Sequence, residues 1–199
     1  MKKMILFFAI IFFGGIVSAQ TDFKSAAANA RTSYAAGKLE DAHFSLQQAL
    51  EELDIIIGKE VLKLLPTQLD DLNANSKDDN VTANVGFIGA TIHRGYGNDT
   101  KKAEIEIISN SPLLGTLNAF LNMPLIGGMM RDENNKTVKV QGYKARLERT
   151  DNGNGKYNYK LDVPFSSALL TFSVDNSTET EIMNMANKIP FQDITKLIQ

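Results

Sequence analysis

Tyr157-Asn-Tyr-Lys-Leu161 and, after a short gap, Ala168-Leu-Leu-Thr-Phe-Ser-Val174 are the stretches that decide the fold. Tyr157, Tyr159 and Leu161 alternate with Asn158 and Lys160, while Ala168, Leu170, Phe172 and Val174 take every second position of the following run. A period of two marks a half-buried strand, because successive side chains of a strand point to opposite faces. Upstream the same period appears in Val138 and Val140, and again in Tyr143, Ala145 and Leu147, with Asp151-Asn-Gly-Asn-Gly155 as a hairpin loop before the next strand. Earlier still, Ile88, Ala90 and Ile92 alternate with Gly89, Thr91 and His93, and Ala103, Ile105 and Ile107 with Glu104 and Glu106. The turn Gly95-Tyr-Gly-Asn-Asp99 joins these two runs.

Helical signals interrupt this pattern twice. Ser111-Pro112 is an N-cap followed by proline at the first helical position, and Leu113, Leu114, Leu117, Phe120 and Leu121 form an apolar stripe that Pro124 ends. Thr178 and Glu181 have the spacing of a capping box before Ile182, Met185 and Ala186, and a last turn carries Phe191, Ile194 and Leu197. The order β-β-α-β-β-β-β-α with hairpin-sized connections predicts an α+β domain built on a mostly antiparallel sheet. Both helices are expected on its apolar face. The other face would carry Glu104, Glu106, Lys144, Arg146, Glu148, Asn158, Lys160 and Asp162, signs that can pair across strands. It reads as a solvated face, with a polar binding surface or a seat for the N-terminal segment as the functional alternatives.

In front of the sheet the period is helical. Phe23, Ala26, Ala27, Ala30 and Tyr34 share one face of a first helix that Gly37 ends, and Leu39, Leu46, Leu50, Leu53 and Ile57 line a second that reaches Pro66. An antiparallel helical hairpin follows, with the alanine face allowing close approach of the backbones. Residues 67–84 turn polar, with Asp70, Asp71, Asp78 and Asp79 among Asn, Ser and Lys, and read as a linker or exposed loop. The organisation predicted is therefore a signal peptide over 1–19, a hairpin over 20–66, a linker over 67–84 and an α+β sandwich over 85–199.

The first segment sets the expected compartment. Lys2 and Lys3 precede an apolar run from Met4 to Ile16, and Val17-Ser-Ala19 puts small residues where signal peptidase cuts. The run is shorter than the ~20 residues a spanning helix needs. Without any cysteine the chain carries neither a disulfide nor an acylated cysteine, so a periplasmic or secreted protein is expected. Lys2 and Lys3 leave with the signal, so 19 of the 21 basic residues remain against 23 acidic ones, a formal charge of −4. Nucleic-acid binding, which needs a clustered basic surface, is disfavoured.

Two resemblances add to this reading. Gly37, Leu39, Ala42, Leu46 and Ala49 stand at the Gly, aromatic, Ala, Phe and Ala positions of a tetratricopeptide repeat, so the hairpin resembles half of such a repeat; Ala26, Asn29, Ala30, Ser33 and Asp54 depart from its remaining positions. Gly89-Ala90, Arg94-x-Tyr96, Ile105-x-Ile107, Ser111-Pro-Leu-Leu114 and Asn122-x-Pro124 resemble a family of uncharacterised exported bacterial proteins. With the element order downstream, the last 115 or so residues are similar to the α/β/α sandwich named after PsbP, the extrinsic protein of photosystem II. The resemblance implies an assembly or accessory role rather than catalysis, and carries no binding residue onto this chain.

Chemistry is sparse. His43 falls on the apolar stripe of the second helix and is expected to be packed there with one hydrogen bond; His93 sits beside Arg94 with no carboxylate at ligand spacing. Two histidines in separate segments make no zinc site, and no nucleophile elbow or phosphate loop occurs. Glu104 and Glu106 have the solvated environment of an exposed strand rather than the setting of an acid–base pair. Asp151-Asn-Gly-Asn-Gly155 lacks the ligand pattern of a calcium loop, and turn chemistry accounts for it. The chain is accordingly read as a non-enzymatic envelope protein, with no catalytic residue, metal or cofactor, that contacts a protein partner. Candidate contacts are the hairpin, the polar sheet face and the segment Met123–Arg131, where Leu125, Ile126, Met129, Met130 and Arg131 surround Gly127 and Gly128. The alternative is a carrier of a small apolar ligand or lipid between sheet and helices, lined by Phe120, Tyr157, Tyr159 and Phe172. Protein recovered from its native compartment is predicted to begin at Gln20 by N-terminal sequencing; a retained Met1 would refute export by this route.

Overall fold

The computed structural model describes residues 22–83, 89–123, 134–153 and 155–198. The chain is an α+β protein. Helices α1 (Phe23–Ala35) and α2 (Leu39–Leu64) come first, followed by the two-residue strands β1 (Gln68–Leu69) and β2 (Leu72–Asn73). Strands β3 (Asn80–Ala83), β4 (Ala90–Gly97) and β5 (Lys102–Ser109) lead to helix α3 (Leu114–Asn122). A meander of β6 (Asn135–Val140), β7 (Tyr143–Asp151), β8 (Tyr157–Phe165) and β9 (Ala168–Ser177) then ends in α4 (Glu179–Ala186) and α5 (Phe191–Leu197).

Seven of these strands form one sheet in the order β3-β4-β5-β9-β8-β7-β6, antiparallel at every pairing. Two meanders therefore meet where β5 pairs with β9, Ile105 opposite Phe172 and Ile107 opposite Leu170. The period-two residues point the way the sequence requires. Ile92, Ile105, Ile107, Leu161, Leu170 and Phe172 are buried on one face, where α4 and α5 add Ile182, Met185, Phe191 and Ile194. Gln141 and Gly142 both have positive φ (46° and 89°), the geometry of the tight turn that matches strand twist. The Gln141 side chain also donates to the carbonyls of Asn187 (2.9 Å) and Ile189 (2.8 Å), tying the β6–β7 turn to the end of α4.

The capping box forms as its spacing predicts. The Thr178 hydroxyl accepts from the Glu181 N–H at 3.3 Å, and Glu181 Oε2 accepts from the Thr178 N–H at 2.8 Å. Lys101 reaches Glu181 Oε1 at 3.1 Å. Burial opposes ionisation of Glu181, yet Lys101 and the cap hydrogen bonds outweigh it and hold the carboxyl below its ordinary value.

Four expectations change. The helix after Ser111 does not share the face of α4: Leu117 and Leu121 pack with Leu169, which points away from Leu170 and Phe172, so α3 covers part of the opposite face. Ser111-Pro112 form a turn before the helix, which starts at Leu114. The polar stretch 67–84 is neither linker nor loop where it is described. It holds the β1–β2 hairpin and strand β3, with Leu69 and Leu72 in the core and Val81 opposite Ile92. An edge strand needs only one paired side and few apolar residues, so its composition hides it. The hairpin is also not a unit separate from the sheet, because Val61 and Leu65 at the end of α2 belong to the main core.

Arg94 follows Ala90 and Ile92 on the inward row of β4 and is buried. Its Nε and Nη2 donate to the two oxygens of Asp79 (2.9 and 2.6 Å), and Nη1 donates to the Leu65 carbonyl at 3.0 Å. Tyr96, next on the same row, donates its hydroxyl to the Pro66 carbonyl at 2.9 Å. Burial pushes its phenol up to about 12. Arg94→Ala is expected to lower unfolding free energy by about 3 kcal/mol, since Asp79 then lacks its partner, and Tyr96→Phe by about 1 kcal/mol; denaturant melts read both, and a wild-type midpoint for Arg94→Ala would contradict the assignment.

Glu181 gives a pH signature. A carboxyl depressed in the folded state adds stability above the unfolded value of about 4.3 for Glu, and that stability is lost as pH falls through the lower folded value. Melts of wild type and Glu181→Gln are expected to converge below that range and to separate, wild type the more stable, above it.

Candidate functional site

The hairpin formed by α1 and the first half of α2 stands out because it is joined to the sheet through one end alone. Asp22 caps α1 by accepting the Ser25 N–H at 2.9 Å, a bond that holds its carboxyl below the usual value. At the other end Gly37 takes φ +73°, its N–H donates to the Tyr34 carbonyl (3.0 Å), and the Lys38 N–H donates to Ser33 (2.9 Å). These are the two bonds of a Schellman motif, and they turn the chain back antiparallel. Small residues make the contact between the helices: Ala26 and Ala30 on α1, and Ala42, Ser45 and Ala49 on α2, are all buried. An alanine face brings the helix axes close but removes little apolar area from water.

That packing leaves the leucine stripe of α2 outside. Leu39 is 64 % exposed, Leu46 53 %, Leu50 44 % and Leu53 37 %. His43 is exposed with them, so the packed histidine expected from the sequence is not found; the stripe it belongs to is not the one the hairpin buries. Farther along, α2 turns into the protein. Gly58 faces Val81 and Ile92 so closely that a Cβ would stand 2.5 Å from a Val81 methyl. Asp54 accepts the Gly89 N–H at 2.8 Å; burial nevertheless pushes its carboxyl above the usual range. A shallow groove between α1 and α2, bordered by Thr32, Asp41, Phe44 and Gln48, runs along another side of the hairpin.

The remaining candidates are arranged differently. Leu125, Ile126, Met129, Met130 and Arg131 lie outside the described residues; Met123, which precedes them at the end of α3, is 52 % exposed. On the polar sheet face one row crosses five strands in register: His93, Glu106, Thr171, Asp162 and Arg146. Glu106 thus stands across from His93, a neighbour that linear spacing does not reveal. Asp162, almost fully buried, accepts from Arg146 at 2.5 Å and from the Thr171 hydroxyl at 2.9 Å, and Lys160 meets Glu148 at 3.1 Å. These charges satisfy one another across strands. The hairpin is not seated on them, because α2 packs against Ile92 on the apolar face. Phe120 sits with Leu117 and Leu121, whereas Tyr157, Tyr159 and Phe172 belong to the main core on the other side, so the four do not line one space. Among the described residues no group of three or more His, Cys, Asp or Glu is arranged to hold a metal, and no helix is long and apolar enough to cross a membrane.

Comparisons with protein-family models, with curated proteins and with solved structures find no match for this chain. Of the residues that fix the hairpin's direction, the sequence marks Arg94 as the neighbour of His93 and Tyr96 as part of the turn from Gly95 to Asp99, but β4 runs through Gly97 and Tyr96 is buried on its inward row. Their signal was present in the alternation, since 94 and 96 continue the inward register of 90 and 92. An arginine in that register demands a buried acceptor.

Proposed function

We propose that this chain is an exported, non-enzymatic binding or accessory protein of the cell envelope that contacts a protein partner through its N-terminal hairpin. The observation that carries this reading is the exposed stripe of Leu39, Leu46, Leu50 and Leu53 on a helix whose opposite end is fixed in the core. Contiguous apolar surface of this kind marks an interaction site rather than ordinary surface scatter. A rigid helix presenting residues at i, i+4, i+7 steps is a recurrent mode of protein recognition. The signal-like first segment supports an envelope location, and the resemblance to PsbP-like accessory proteins agrees with a role without catalysis. The polar sheet face supports no competing chemistry, because Arg146, Asp162 and Thr171 are engaged with each other.

Cross-linking in intact cells tests the reading. A photoreactive residue at Gln47, beside the stripe, is expected to capture protein, and Leu46→Glu with Leu50→Glu is expected to abolish capture while leaving the circular dichroism spectrum unchanged. Capture undiminished by the double substitution would rule the stripe out as the contact.

A further inference from the structure

Resting on that reading of the hairpin, we infer that the partner of the α2 stripe is a second copy of this chain, docked antiparallel as a two-helix seam. From Leu39 to Leu64 the stripe advances by alternate steps of four and three residues, the repeat that keeps one seam facing a partner helix. It spans the whole of α2, whose 26 residues extend about 39 Å. The four exposed leucines are followed along the same seam by half-buried Ile57 and by Leu64, itself 36 % exposed. A seam of this length approaches the ~800 Å² per partner that stable interfaces bury.

Charge selects the occupant and its direction. Two seam positions are polar and exposed: His43 near one end, and near the other Glu60, which also ion-pairs with Lys63 of the same helix at 2.5 Å. Laid antiparallel about the centre of the seam, Leu39 meets Leu64, Leu46 meets Ile57, Leu50 meets Leu53, and His43 meets Glu60. A parallel pair would instead put Glu60 against Glu60 and His43 against His43 in apolar surroundings, which costs rather than stabilises. Polar residues at isolated seam positions are a known means of fixing orientation. The sequence is thus self-complementary in one direction and not in the other.

Light scattering on the chain purified from the cell that exports it is expected to give twice the monomer mass, and Leu46→Glu with Leu50→Glu to weaken association at least 100-fold with an unchanged circular dichroism spectrum. Since the chain has no cysteine, Leu39→Cys and Leu64→Cys can be used singly. Antiparallel docking predicts disulfide-linked dimers when the two variants are mixed and little linkage in either alone. A monomer at every concentration, or a dimer indifferent to the leucine substitutions, would overturn the inference. Linkage of either variant with itself would overturn the antiparallel register. A purified monomer whose stripe still captures a different envelope protein would refute self-pairing and leave the hairpin reading standing; no capture of any protein would defeat both.

Discussion

Arg94 is the residue on which the geometry of the rest turns. A helix leaves its last carbonyls without partners, and in α2 that end lies at the core, where water does not reach them easily. Arg94 supplies one donor to Leu65, Tyr96 supplies another to Pro66, and Asp79 neutralises the guanidinium with both oxygens. The Asp79 hydrogen bonds raise the Arg94 pKa above its ordinary value, so the guanidinium stays charged. One buried cation thereby joins the end of α2, the middle of β4 and the approach to β3. Buried ion pairs contribute modestly to net stability because desolvation is costly. What this one supplies is direction: α2 can leave the sheet at one angle.

Gly58 and Asp54 extend the constraint up the helix. Glycine within a helix costs about 1 kcal/mol relative to alanine, yet here a side chain would collide with Val81 and Ile92, so the cost is accepted for close contact with the sheet. Past Asp54 the only described partner element along α2 is α1, and their contact is made by small residues. The consequence is a helix rigid at its base whose leading half faces water on its most apolar side.

The sheet was legible because a period of two states both the element and the face, and β4 to β9 carried it. The N-terminal helices were equally legible as helices. Their packing was not, because periodicity groups the residues that share a face without saying which neighbour covers it. Leucine at 39, 46, 50 and 53 reads as the natural inner face, but the structure buries Ala42, Ser45 and Ala49 instead. The same ambiguity put α3 on the wrong side: its stripe fits any apolar patch, and Leu169, one residue out of phase with Leu170, provides one behind the sheet. Strand β3 was hidden for the opposite reason, since Asn80-Val-Thr-Ala83 is too short and too polar to show a period.

The choice of alanine for the inner face of the hairpin and leucine for the outer one has an energetic meaning. Burying a methyl group contributes a fraction of the roughly 1.5–3 kcal/mol that burying a leucine side chain gives, so α1 and the leading half of α2 hold each other weakly. Isolated helices of α1's length, 13 residues, are marginal in water. The Schellman turn and the Asp22 cap add local support. They add no apolar burial. The large apolar side chains that could have provided it point outward, where a second helix laid along them would supply the burial the hairpin lacks. In the proposed pairing, association and ordering of the hairpin would be one process, and the fixed base of α2 would determine where that second helix lies.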